Sequence, residues 1–140
     1  MAPRTTRDQH VGEAVTPERL AEVLGASFCT LRPDIASERA LQNDIAGRFR
    51  MMLDPTTFAR EHQLTPRDRP DFFVGFVRGV AVEVKVKGTL ASATRQLFRY
   101  AEHPTVTGVL LVTTLNRLAV MPDTACGKPL AVLCLGDFLL

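Results

Sequence analysis

Nothing in these 140 residues is apolar for long enough to cross a bilayer. The longest mainly apolar stretches, around Val106 to Thr113 and Leu130 to Leu135, fall far short of the roughly 20 residues that a spanning helix needs. The opening MAPRTTRDQHVGEAV is polar and lacks the apolar segment of a secretory signal, so the expected compartment is the cytoplasm, with no membrane partner. Cysteines are few: Cys29, Cys126 and Cys134 are an odd number, widely spaced, with no C-x-x-C and no nearby histidine pair. That spacing argues against both a disulfide framework and a zinc site, and Cys134, inside an apolar run, reads as a core residue. There is no glycine-rich phosphate loop and no dinucleotide fingerprint, so no nucleotide cofactor is implied. Repeats and low-complexity segments are missing too. His10, His62 and His103 are scattered, and none is assigned to catalysis.

What is present is one domain's worth of ordinary globular sequence, 46% hydrophobic and 23% charged. The formal net charge of +2 is unevenly spread. Residues 60 to 99 hold eight basic side chains (Arg60, Arg67, Arg69, Arg78, Lys85, Lys87, Arg95, Arg99) against four acidic ones (Glu61, Asp68, Asp71, Glu83). This stretch carries +4 and leaves −2 for the remainder. A locally basic segment suits a polyanionic partner, although a solvated surface has the same composition.

Residues 1–15 show no periodicity and are expected to form a flexible tail ahead of a single domain over 16–140. Thr16-Pro17 has the pattern of an N-cap and first helical residue, with Gly25 expected to close a short helix containing Leu20, Val23 and Leu24. Ser37 can cap a second helix running to about Leu53, whose Leu41, Ile45, Phe49 and Met52 form one buried stripe. Asp34 is expected in the loop before this helix and Asp44 lies off its stripe, so both are weak site candidates. A strand-rich block follows: Phe58 to Leu64, a turn at Thr65-Pro66-Arg67-Asp68, then a hairpin of Asp71 to Phe76 and Val80 to Val86 joined through Val77-Arg78-Gly79. A helix over Leu90 to His103, a buried strand at Val106 to Thr113 and a last strand at Leu130 to Leu135 complete an α/β sandwich, with helices against a mixed sheet.

The segment Val80 to Lys87 alternates strictly. Val80, Val82, Val84 and Val86 face one way, and Ala81, Glu83, Lys85 and Lys87 the other. The valine face belongs to the core. The opposite face sets a carboxylate and an ammonium two residues apart, costly to bury unless paired or metal-bound. Asp71, at the start of the partner strand, can come close to Glu83 across the hairpin. Two converging carboxylates are hard oxygen ligands suited to Mg2+ (or Mn2+), which would polarise a phosphodiester and lower the pKa of an attacking water. Lys85 would orient that water or stabilise charge developing on phosphate oxygens. The competing reading is a plain surface ion pair between Glu83 and Lys85, worth about 0.2–1 kcal/mol.

Pro70-Asp71, eleven residues, then Glu83-Val84-Lys85 resembles the signature of the PD-(D/E)xK nuclease superfamily. That resemblance covers roughly residues 37 to 115 and implies a restriction-endonuclease-like αβββαβ core with a mixed sheet flanked by helices. It also implies Asp71, Glu83 and the Val84 carbonyl as metal ligands, with Lys85 assisting catalysis. Glu38, on the inward stripe of the second helix, matches the additional acidic residue such proteins often carry. Gln96 and Tyr100 have a Q-x-x-x-Y spacing similar to the RecB-like branch. Gln96 is expected to reach the attacking water or the phosphate, and Lys87, Arg95, Arg99 and Tyr100 to contact the DNA. The run GVAVEVKVKGTLASATRQLFRYAEHP looks like small nuclease-related proteins of bacteria and phages. The expected activity is Mg2+-dependent DNA hydrolysis. The substrate alternatives are Holliday junctions cut by a homodimer, or strand ends and nicks cut in the RecB-like manner. The remaining alternatives are a non-catalytic nucleic-acid-binding module retaining the fold and a small toxin-like or partner-regulated nuclease whose activity needs another subunit.

Overall fold

The computed structural model describes residues 15–138. All of the expected tail except Val15 lies outside the described residues. Six strands, β1 (Phe58–Arg60), β2 (Phe72–Gly75), β3 (Gly79–Lys85), β4 (Val106–Thr113), β5 (Thr124–Ala125) and β6 (Lys128–Cys134), form one open mixed sheet in the order β1-β2-β3-β4-β6-β5. Three helices flank it: α1 (Pro17–Thr30), α2 (Glu38–Met52) and α3 (Leu90–Glu102). The chain runs α1, α2, β1, β2, β3, α3, β4, β5, β6, so the expected succession of helix, three strands, helix and strand is present from α2 to β4. Among the described residues no helix is long and apolar enough to cross a membrane.

Each helix starts at a hydroxyl cap that the sequence advertises. Thr16, Ser37 and Thr89 accept from the amides of Arg19 (3.1 Å), Ala40 (3.0 Å) and Ser92 (3.1 Å). Helix α1 does not stop at Gly25. It continues to Thr30, because burying Phe28 one turn beyond Leu24 extends the Leu20, Leu24 stripe and outweighs the modest helix penalty of one glycine. Phe28 packs under the Arg48 guanidinium, 4.2 Å from its ring centroid. Arg48 is buried and held by Asp44, the Ser27 hydroxyl (3.1 Å) and the carbonyls of Leu31 and Arg32. Asp44 also accepts from the Asp34 amide, which makes both aspartates parts of the α1–α2 joint.

Helices α1 and α2 cover one face of the sheet, with Leu24, Leu41, Ile45 and Phe49 against Val80, Val82, Val84 and Val112. Helix α3 covers the other face, with Ala93, Leu97, Tyr100 and Ala101 against Phe73, Ala81, Val109 and Leu111. Strand β3 is therefore central and sandwiched. It pairs antiparallel with β2 and parallel with β4.

Several boundaries differ from expectation for local reasons. Strand β1 ends at Arg60 because Glu61 adopts a left-handed φ of 51°. Strand β2 ends at Gly75, leaving Phe76-Val77-Arg78 as the turn, and β3 begins one residue early at Gly79. The short β5 was not foreseen. It pairs with β6 through a turn in which Cys126 and Gly127 both have positive φ. Cys134 is half-buried at the end of β6, with Asn116 Oδ1 as partner, and is not a core residue.

A Cβ on Gly79 would lie 2.2 Å from the Val74 carbonyl oxygen and 2.9 Å from the Gly75 Cα, both backbone atoms without room to move. Gly79→Ala is expected to lower stability by about 1–3 kcal/mol, measurable as a reduced urea midpoint. An unchanged midpoint would contradict this hairpin geometry.

Candidate functional site

The hairpin register sets Phe72 opposite Val82, which continues outward to place Asp71 opposite Glu83. Both project on the α3 side of the sheet, along with Phe73 and Ala81. Glu83 is 3% exposed, so the surface ion-pair reading of this strand face fails. Among the described residues Lys85 forms no ion pair. It is only partly buried at the end of β3, on the Glu83 face.

What satisfies Glu83 instead is a chain of polar groups from α3. The Tyr100 hydroxyl donates to Glu83 Oε2 at 2.7 Å, and Gln96 Nε2 donates to that hydroxyl at 2.8 Å. Residues 96 and 100 lie one helical turn apart, so a single face of α3 delivers both. Burial above all, then the Asp71 charge and a hydrogen bond with its carboxyl, push the Glu83 carboxyl up to about 9, against the Tyr100 hydrogen bond and the Lys85 charge. Burial beside Asp71 thus favours the neutral form of Glu83 in the protein alone. Burial and the Glu83 charge likewise push the Tyr100 phenol upward, which keeps it a hydrogen-bond donor.

Two carboxylates cap the edge of β3 beyond the end of β2. Asp71 Oδ2 accepts the Val84 amide at 2.8 Å, and Glu38 Oε1 accepts the Val86 amide at 3.2 Å. Alternate amides on a strand point to the same side, about 7 Å apart, so these carboxylates lie along one edge. The Val84 carbonyl opens to that same edge, whereas the Lys85 carbonyl turns toward β4 and accepts from Thr113 Oγ1 at 2.7 Å.

The expected residues thus divide. Asp71, Glu83, Gln96 and Tyr100 form one continuous hydrogen-bonded group, with Lys85 and the Val84 carbonyl beside it, and Glu38 one step further along the edge. Tyr100 is buried, so what it offers a DNA strand is limited to the rim of its hydroxyl. Arg99 is not a free cation: its guanidinium grips Asp68, with Nε at 2.9 Å from Oδ1. Arg95 and Lys87 are exposed. Arg67 and Arg69, which belong to no motif, line a polar cleft of about 300 Å³ with Gln63, Pro66, Gln96 and Tyr100. Their signal was the excess of positive charge over residues 60 to 99.

Among the described residues no three carboxylate, imidazole or thiolate groups converge into a ready-made metal cage. The donor set nonetheless fits one hard dication. Asp71 and Glu83 are adjacent carboxyl groups whose mutual repulsion a proton now relieves, and Mg2+ commonly takes only one or two protein carboxylates and keeps several waters. Comparison with protein-family models, curated proteins and solved structures found no match for this chain.

Proposed function

We propose that this chain is a metal-dependent DNA nuclease of the PD-(D/E)xK type with a restriction-endonuclease-like core. The observation that carries the reading is the burial of Glu83 against Asp71 in the middle of the sheet, one hydrogen bond behind the Tyr100 hydroxyl, which lines a polar cleft together with Arg67 and Arg69. A buried carboxyl group beside a second, half-buried one is costly as structure alone, so its placement next to Lys85 and an open strand edge is best explained by chemistry. The succession from α2 to β4, with the motif on the hairpin and the next helix, supports the same class.

In this reading Asp71, Glu83 and the Val84 carbonyl hold the cation. Bound there, Mg2+ or Mn2+ supplies Lewis-acid polarisation of the phosphodiester and a lowered pKa for the attacking water. Asp71 is fixed for the task by its bond to the Val84 amide, and Glu83 by the Tyr100 hydroxyl. The Lys85 ammonium, partly exposed and in no ion pair among the described residues, stabilises negative charge on the phosphate oxygens as the water attacks. Gln96, held on Tyr100, meets the strand along the wall of the cleft. Glu38 keeps the end of β3 in position through the Val86 amide.

The test is incubation of the pure protein with labelled single-stranded, duplex and four-way-junction DNA in Mg2+, Mn2+ or EDTA. Cutting is expected only with metal, and the preferred substrate decides between a strand-end or nicking enzyme and a junction-cutting homodimer. Binding of DNA without cutting of any substrate would replace the enzyme with a nucleic-acid-binding module.

A further inference from the structure

The loop that leads into Asp71 is built to present two arginines. Thr65 Oγ1 accepts the amides of Arg67 (3.1 Å) and Asp68 (2.9 Å), and the Leu64 amide donates to the Asp68 carbonyl at 2.9 Å. The Asp68 side chain turns onto α3 and is clamped by Arg99 through Nε and Nη2. Pro70, immediately before Asp71, is buried. With residue 68 pinned inward and residue 70 packed, the flanking Arg67 and Arg69 are left outward and exposed. Among the described residues neither forms an ion pair.

Both line the cleft whose other wall is Gln96 and Tyr100, and from the Tyr100 hydroxyl Glu83 is one hydrogen bond away. Two exposed guanidiniums on a hydrogen-bonded loop, rather than paired with acids among the described residues, suit the phosphates of a nucleic-acid strand. We infer that Arg67 and Arg69 are the strand-binding residues of this protein, gripping backbone phosphates next to the bond presented to Asp71 and Glu83. Arg99 is then a positioning residue that fixes the loop through Asp68, not itself a phosphate ligand. The assignment of the neighbouring bond as the one cut rests on the nuclease reading above.

The experiment is fluorescence anisotropy of a labelled single-stranded oligonucleotide in EDTA, across a salt series, with the full chain. The proteins compared are wild type, Arg67→Gln, Arg69→Gln, the double variant, and Arg78→Gln at the far end of the hairpin. The double variant is expected to bind about tenfold more weakly at low salt, with each single variant intermediate. Its slope of log affinity against log salt should be shallower by ~1.4, or ~0.7 for each lost phosphate contact on a single strand. Arg78→Gln should match wild type. Thermal midpoints equal to wild type would establish that the exposed substitutions leave the fold intact. If the double variant loses no more affinity than Arg78→Gln, the inference is overturned even where wild type cuts DNA. If the arginine-dependent binding is found but no substrate is cut, the strand cleft stands and the nuclease reading falls.

Discussion

Glu83→Gln will abolish metal-dependent cleavage while making the metal-free protein more stable at alkaline pH. Glutamine keeps the shape and both hydrogen bonds: its oxygen accepts from the Tyr100 hydroxyl, and its amide can donate to Asp71 as the protonated acid does. It cannot supply an anionic ligand, and losing several kcal/mol of charge stabilisation in the transition state corresponds to a rate loss of about a thousandfold. The stability effect has the opposite sign. Glu83 is raised from 4.5 to about 9 in the folded chain, so between those values the folded state holds a proton that the unfolded state releases. Its contribution is fully present below pH 4.5 and is lost as pH rises through about 9. Wild type should therefore weaken relative to the glutamine variant by up to about 1.4 kcal/mol per pH unit across that window in EDTA. Urea titrations of the two proteins at several pH values measure the difference directly. A pH-independent difference would mean that Glu83 is not held protonated.

The second large effect concerns the cation. Metal and proton compete for the same carboxyl pair, so Mg2+ should raise the thermal midpoint more at pH 8.5 than at pH 5.5. At a concentration of ~100 times its dissociation constant the cation adds ~2.7 kcal/mol, or about 10 °C for a chain of this size. Asp71→Asn retains an oxygen for the Val84 amide but loses a charge, and it should abolish most of the rise without unfolding the protein. Equal midpoints in Mg2+ and EDTA at every pH would remove the metal site from the account. Differential scanning fluorimetry is sufficient for this comparison.

These effects concentrate on residues that were visible in the sequence to different degrees. The strict alternation from Val80 to Val86 marked a strand, Ser37 marked the start of a helix, and the distance from Asp71 to Glu83 matched a hairpin. Each of these signals is local, and each reflects backbone geometry or capping that depends on neighbours in the chain. The burial of the Glu83 face was not legible, because it depends on α3 folding back across the sheet from seventeen residues beyond, where Tyr100 meets Glu83. The same holds for Arg99: it was expected to contact DNA, but Asp68, thirty-one residues away, engages it. Helix α1 outran Gly25 because the gain from burying Phe28 appears only once Arg48 of α2 is in place above it. Strand β1 fell short because Glu61 turns left-handed, and nothing in its immediate sequence announces that. For Glu83, Arg99 and α1, an interaction between distant residues overrode a local preference.

The most direct test of the central claim uses the one catalytic group that holds neither the fold nor the cation. Lys85→Ala should fold as wild type does and keep the Mg2+-dependent rise in thermal midpoint, because Asp71 and Glu83 are untouched. It should nevertheless cut DNA about 100–1,000-fold more slowly in single-turnover assays. Cleavage by Lys85→Ala at the wild-type rate would place the chemistry elsewhere and contradict the account.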